Sequence, residues 1–339
     1  MINEKEIKQK VYTLFKNWSG TLPDESYELP HSGSKRIYIR LKKDNTSALA
    51  VYNDDFKENT AFIDFTNQFL KSGVNVPEIY IEDIKNNIYL IQDLGDIDLL
   101  SWLINDKKNE FTEEVVKVYK KVILNLLHIQ IISGRNFNFS KCYPYSEFNK
   151  ESILFDLNYF RSKYVDTIKL KYNKVILSKE FNLLSDYLLT AKSNYFMYRD
   201  FQARNILLVN QEPFFIDYQG GRKGPIQYDL VSLLFQAKAR MPESIKNLLL
   251  EYYIKVARML TPIHREEFIE FYFAFALIRV LQTFGAYGLR GLIENKNYFI
   301  ESIPLAIHNL IYLKEKVLIL KRLPELNQII EQIINSNEQ

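Results

Sequence analysis

The chain has 339 residues, of which 47% are hydrophobic and 25% charged, and it carries a formal net charge of +3 at pH 7. That is ordinary for a globular protein and long enough for two lobes. No block of like charge or aromatic-basic stripe points to nucleic acid. The single cysteine, Cys142, excludes an intramolecular disulfide and a thiolate metal cluster. The N-terminal stretch MINEKEIKQK is charged, unlike a signal peptide. The longest apolar run, Phe268–Val280, is interrupted by Glu270 and bounded by Arg279, so no membrane span is expected. A cytoplasmic protein, monomeric and without a membrane partner, is the expectation.

Glu4–Trp18 places Ile7, Val11, Leu14, Phe15 and Trp18 at helical spacing, which predicts an amphipathic opening helix. Within Tyr27–Leu41, the run from Arg36 alternates like a strand, after the small-residue turn His31-Ser32-Gly33-Ser34. A strand, turn and strand of this kind can cover phosphates with backbone N–H groups, and Ser34, Arg36 and Arg40 are candidate nucleotide contacts. Arg36 and Arg40 share one strand face. Ala48–Tyr52 reads as the next strand. Kinases carry a phosphate-binding lysine there; this chain has none, and Arg36, Arg40 and Lys42 are the candidates to replace it.

Phe56–Ser72 reads as a helix ended by Gly73. Its Glu58 sits where a kinase helix carries the lysine's partner, but without that lysine it is expected to be a solvated surface residue. Val76–Ile81 and Asn87–Gln92 read as two strands around a turn at Asp83–Asn86. The following Asp93-Leu94-Gly95-Asp96 then leads to a helix at Leu99–Leu103. The chain is expected to divide here into a nucleotide-covering lobe, 1–93, and a helical lobe, 94–339. Backbone near Gln92 and Leu94 would meet an adenine. Glu113–Ile132, Ser152–Tyr164, Lys179–Ala191, Ser244–Leu260, Arg265–Gln282 and Tyr298–Leu318 read as helices. His128, within the first of these, is expected to be a hydrogen-bonded packing residue. The fold class is therefore α+β, with a small, mainly antiparallel sheet and a large helical lobe.

The most informative stretch is Met197–Gln219. Short β-type runs at Asn194–Met197 and Ile206–Val209, with a turn at Gln211-Glu212-Pro213 before Phe214–Ile216, hold a polar loop and an acid. Asp200 and Asn205 have the D-x-x-x-x-N spacing of a kinase catalytic loop. In that chemistry the aspartate takes the proton of an attacking hydroxyl, while an asparagine and a later aspartate, here Asp217, offer hard oxygens to Mg²⁺. Taken singly, these residues are also common turn formers. Gln202 stands where serine/threonine kinases carry a lysine. Arg204, four after the base, is the candidate cation for the transferred phosphoryl group. The stretch from Asp217 to Asp229 is too short for a long activation loop, and Asp229 is expected to open an apolar helix from a capping-type position and, in the kinase arrangement, to accept backbone hydrogen bonds from the catalytic loop. Arg279, Gln282, Arg290, Lys296 and Tyr298 flank an expected bend at Gly285-Ala286-Tyr287-Gly288. They form either a solvated face or part of a substrate pocket, for which Gln202, Arg279, Gln282 and Lys296 are the candidates.

These motifs together resemble the aminoglycoside-phosphotransferase/choline-kinase-like family, and within it the bacterial anomeric kinases of N-acetylmuramate and N-acetylglucosamine used in cell-wall recycling. The resemblance rests on Ser34–Arg40 (S-x-R-x-Y-x-R), Gly73–Pro77, Asp93-Leu94-Gly95, Tyr198–Asn205, Ile216–Gln219 and Gly224–Leu234 (GPxxYDLxSLL). Arg279–Gly285 and Lys296–Tyr298 also look like the family's late helices. Tyr198 departs from the pattern where histidine is frequent, and that sugar-kinase group also lacks the strand lysine. The resemblance implies a bilobal protein-kinase-like fold, ATP and Mg²⁺, and a small-molecule sugar acceptor. Aminoglycoside or choline acceptors, a protein kinase and a nucleotide-binding pseudokinase are the alternatives.

Overall fold

The computed structural model describes residues 4–30 and 36–336. The strands β1 (Glu25–Glu28), β2 (Ile37–Lys43), β3 (Thr46–Tyr52), β4 (Ile79–Asp83) and β5 (Ile88–Gln92) form one antiparallel sheet in the order β1-β2-β3-β5-β4. Alternation gives the sheet two apolar faces. Ile39, Leu41, Ala48, Ala50, Ile88 and Leu90 pack with Ile7, Val11, Leu14 and Phe15 of helix α1 (Glu4–Ser19). Trp18 closes that layer by stacking on Tyr80 at 4.4 Å. The opposite face carries Tyr38, Val51, Tyr89 and Ile91 and roofs a deep cleft.

Helix α2 (Phe56–Lys71) starts at Asp55, whose carboxylate accepts the N–H groups of Lys57 and Glu58. Its apolar stripe joins the sheet to what lies below. Phe62 stacks on Tyr89 and Tyr218, and Phe65 and Phe69 pack edge-on to Phe196. His128 donates its Nε2–H to the Ser72 carbonyl at 2.8 Å, the packing role expected of it.

The helical part comprises α3 (Leu99–Ser101), α4 (Glu113–Leu127), α5 (Lys150–Phe160), α6 (Lys174–Leu188), α7 (Gln227–Leu234), α8 (Glu243–Leu260), α9 (Arg265–Ala286), α10 (Asn297–Ile300), α11 (Ser302–Lys316) and α12 (Pro324–Asn335). Sequence reading did not anticipate α12. It begins against the buried Glu180 of α6, whose carboxylate accepts the N–H groups of Glu325 and Leu326 at 2.9 and 2.8 Å. The expected bend at Gly285–Gly288 is absent: α9 continues in widened turns through Tyr287–Ile293. Those glycines serve close packing instead. A Cβ on Gly288 would lie 1.9 Å from the Lys163 carbonyl oxygen, and one on Gly285 2.5 Å from the Tyr159 ring. The helical run Arg265–Ile293 is long and apolar enough to cross a membrane by length and composition. Its most apolar window is nonetheless 72% buried within the protein, as befits a core helix.

Four short strands lie between α6 and α7. β7 (Ile206–Val209) and β8 (Glu212–Phe215) form a hairpin on Asn210 and Gln211, both with left-handed φ (51° and 64°). That is the two-residue loop matching strand twist, one residue before the turn read from sequence. β6 (Tyr195–Met197) pairs instead with β9 (Arg222–Gly224), so two ribbons, not one sheet, hold the central loop.

Candidate active site

Two cavities meet at Arg204. The upper one lies under the sheet and encloses about 2160 Å³ including its open mouth. Leu49, Val51 and Tyr89 line it above, Leu207 and Ile216 below. This is a flat apolar slot, and Gln92 and Leu94 stand at its rim where β5 leaves the sheet. Gln92 N–H already donates to the Glu78 carbonyl at 2.8 Å, while Leu94 makes no backbone hydrogen bond among the described residues. The lower cavity, of about 590 Å³, is lined by Asp200, Gln202, Arg204, Lys238, Arg279 and Gln282 among others.

Local structure explains how the polar groups converge. Gln202 N–H donates to the Asp200 carbonyl and Asn205 N–H to the Gln202 carbonyl, both at 2.8 Å, which coils the loop tightly. The Asn205 side-chain N–H₂ donates to the Asp200 carbonyl (2.9 Å) and to the Asp217 carboxylate (3.3 Å). That turns the amide oxygen into the available ligand atom. Asp217 follows β8 in a left-handed conformation, φ 68°. Its carboxylate accepts from Gln219 at 2.7 Å and from Arg36 at 3.3 Å. Desolvation raises the Asp217 pKa, and Arg36 opposes that shift.

Beneath the loop, buried Asp229 accepts the N–H groups of Tyr198 (2.8 Å) and Arg199 (2.9 Å) and the Gln130 amide (3.0 Å). Burial pushes its carboxyl up to about 7 against those three donors. Asp229 was expected to cap α7. It sits instead in the first turn, after Gln227 and Tyr228, and its carboxylate takes the backbone N–H groups of the loop, the other role expected of it. Arg199, with φ 81°, is fixed by Asp156 of α5 at 2.7 Å and by the Tyr228 hydroxyl. Tyr198 donates its hydroxyl to the Ile216 carbonyl, a purely structural contact that ties the loop to the end of the hairpin.

Glu58 differs from expectation. It is not a solvated surface group: its carboxylate receives the Arg36 guanidinium at 2.5 Å and the Asn53 amide at 2.7 Å. Arg36 immediately precedes β2, lines the upper cavity, is 4% exposed and bridges Glu58 to Asp217. It thus pairs with Glu58, the helix glutamate for which the sequence offered no β3 lysine partner. Arg40 is spent elsewhere, on Asp93 and Asp96 at 2.8 and 2.7 Å, where it ties β2 to the segment after β5. It does not line the cavity. Ser34 lies outside the described residues.

Around Asp200, Arg279 approaches its carboxylate at 3.5 Å and Gln202 at 3.4 Å. Arg279 is itself held by Ser232 (3.1 Å), Gln282 and Thr283 (3.2 Å). Arg204 is exposed, lines both cavities and makes no ion pair among the described residues. Lys296 pairs with Glu294 at 3.1 Å and lines neither cavity. Sequence reading missed Asp156, Gln236 and Lys238. Asp156 had a signal: it lies on the stripe Ile153, Asp156, Leu157, Phe160, an acid among core positions of α5.

Comparison with known proteins decides the family. The model of the phosphotransferase enzyme family matches residues 28–263, well over half of the chain. The chain belongs to the phosphotransferase enzyme family. Among its relatives, the N-acetylmuramate/N-acetylglucosamine kinase of Neisseria meningitidis is 25% identical over 76% of this chain and 76% of its own length. The protein of the same name from Pseudomonas aeruginosa is 23% identical over 71% and 68%. Among solved structures, the choline kinase of Streptococcus pneumoniae superposes with TM-score 0.60 at 14% identity, over 90% of this chain and 98% of its own. An APH(2")-IIa aminoglycoside phosphotransferase in a streptomycin–ATP complex gives 0.57 at 13%, over 89% and 97%. These likenesses place the fold as the bilobal, protein-kinase-like α+β fold. The chain is a phosphotransferase acting on a hydroxyl acceptor of a small molecule.

Proposed function

We propose that this phosphotransferase uses ATP and Mg²⁺ to phosphorylate a sugar hydroxyl, the anomeric hydroxyl of N-acetylmuramate or N-acetylglucosamine. The observation that carries the reading is the division of labour between the two cavities. Asp200 faces the lower cavity, Asp217 and Asn205 face the upper, and Arg204 belongs to both. The names of the two curated relatives support the acceptor.

In this reading the apolar slot takes the adenine, with Leu94 at its edge. Arg36 lies beside the phosphates and is kept in place by Glu58. The Asp217 carboxylate and the Asn205 amide oxygen are hard donors, one anionic and one neutral, aimed into the same cavity, which fits Mg²⁺. When bound, that ion supplies charge neutralisation on the phosphates. Asp200 accepts the acceptor hydroxyl's proton as the new O–P bond forms and the bond to the leaving diphosphate breaks. Arg279, anchored by Ser232 and Thr283, fixes the orientation of the Asp200 carboxylate. Arg204 meets the charge spread over the transferred group. Gln202 and Gln282 line the acceptor side, and Lys296 stands outside it.

A cationic acceptor such as choline or an aminoglycoside calls for acids. Asp200 is the one carboxylate among the described residues lining the lower cavity, beside Arg204, Lys238 and Arg279. A pseudokinase has no use for Asp200. The lobe boundary is taken between 93 and 94, where β5 has ended. A cytoplasmic place in cell-wall recycling and a monomeric state complete the proposal.

The test is nucleotide consumption by the purified chain against N-acetylmuramate, N-acetylglucosamine, choline, kanamycin and a generic protein. Turnover on an amino sugar should fall about a hundredfold or more in Asp200→Asn. Turnover confined to choline or kanamycin would overturn the acceptor reading.

A further inference from the structure

The lower cavity carries three cations, and two of them have evident tasks. Arg279 is saturated by protein: Nε on Ser232, one terminal nitrogen on Gln282 and Thr283, the other facing Asp200. Arg204 stands at the junction with the upper cavity, where the phosphoryl group passes. Lys238 has no task in transfer. It projects from the single turn Ala237–Ala239, and its Nζ sits 3.4 Å over the Tyr298 ring. A cation on an aromatic face is held in direction while its charge stays largely uncompensated. Its one carboxylate partner among the described residues, Glu301, is 3.4 Å away and 70% exposed, so solvent screens that pair.

The turn that carries Lys238 is rigidly tied to the catalytic loop. The Gln236 side-chain oxygen accepts the Ala203 N–H at 2.7 Å, and Asn309 of α11 donates to the Phe235 carbonyl at 3.0 Å. The backbone that carries Lys238 is therefore set by the fold rather than by a mobile loop, and Lys238 and Asp200 line the same cavity. An ammonium on the wall of the cavity that also holds Asp200 suits an acceptor with a hydroxyl at one end and an anion at another.

We propose that Lys238 is the specificity-determining residue of the acceptor cavity: its ammonium takes the carboxylate of an acidic N-acetylated sugar and so discriminates it from the neutral one. The inference rests on the sugar-kinase reading and deepens it. Of the two sugars in the relatives' names, N-acetylmuramate carries a carboxylate and N-acetylglucosamine does not, and Lys238 selects the former.

The experiment compares kcat/KM for both sugars in the wild-type chain, Lys238→Met and Lys238→Arg, with thermal melting as a fold control. The wild type is expected to prefer N-acetylmuramate. Lys238→Met should cut its kcat/KM roughly tenfold or more, the worth of one charge-assisted hydrogen bond. N-acetylglucosamine should change less than about twofold, and Lys238→Arg should keep the preference, since both side chains carry the charge. An equal loss on both sugars, or an unchanged preference in Lys238→Met, overturns the role of Lys238 while leaving the sugar-kinase reading intact. Failure of the wild type to phosphorylate either sugar overturns both.

Discussion

At the scale of single residues, Arg36 is the most consequential departure from the kinase pattern. The β3 lysine is absent, yet a buried cation still links a helix glutamate to the acid at the end of β8, reaching in from the start of β2. The guanidinium fork makes this possible: separate nitrogens engage Glu58 and Asp217. A lysine at the same place has one nitrogen and no planar fork, so it cannot reach Glu58 and Asp217 with two separate nitrogens. Arg36→Lys should therefore lower kcat/KM about tenfold or more in steady-state assays, with the fold retained. Wild-type rates in that variant would make Arg36 a structural tie only. Arg204 allows a second, cleaner split. With no ion pair among the described residues to lose, Arg204→Ala should lower kcat by about a hundredfold while nucleotide affinity, read by titration, changes little. Equal losses in the two would count against its placement at the transferred group.

At the scale of elements, the sequence was most legible where period and punctuation agree. The alternation of β2, the cap and stripe of α2, and the spacing of Asp200, Asn205 and Asp217 could all be read directly, because each is local. Long-range partnerships could not. Nothing near Glu58 announces that Arg36, on the far side of a hairpin, will neutralise it. Glycine gave the opposite error: Gly285 and Gly288 read as a bend because glycine breaks helices in isolation. In the fold they let α9 approach the end of α5 and the turn that follows it, with no room for a methyl group at Gly288. Gly288→Ala should destabilise the protein by about 1–3 kcal/mol or more through overpacking against backbone, seen as a lowered melting temperature. An unchanged melting curve would restore the bend reading.

The molecule as a whole is a sheet and a helical body joined by α2 with its aromatic stripe and by the Arg40 clasp on Asp93 and Asp96; within the helical body a third device, Asp229, holds the loop from beneath. The last device is sensitive to pH. Burial raises the Asp229 carboxyl to about 7, whereas an unfolded aspartate titrates near about 4. The folded chain thus binds the proton more tightly, so this contribution to stability is present below about pH 4 and is lost as pH rises through about 7. Asn at this position carries no such dependence. Asp229→Asn should melt below the wild type at pH 5.5, because one backbone N–H loses its acceptor, and the gap should narrow by pH 8. A gap independent of pH would show that Asp229 is ionised throughout.

The central claim is that Asp200 hands a sugar hydroxyl to the terminal phosphate of ATP. The most direct measurement is ³¹P NMR of a reaction containing the chain, ATP, Mg²⁺ and N-acetylmuramate. The account predicts a sugar phosphate resonance coupled to the anomeric proton, growing with ADP and absent with Asp200→Asn. Inorganic phosphate and ADP alone, with no phosphorylated sugar, would contradict it.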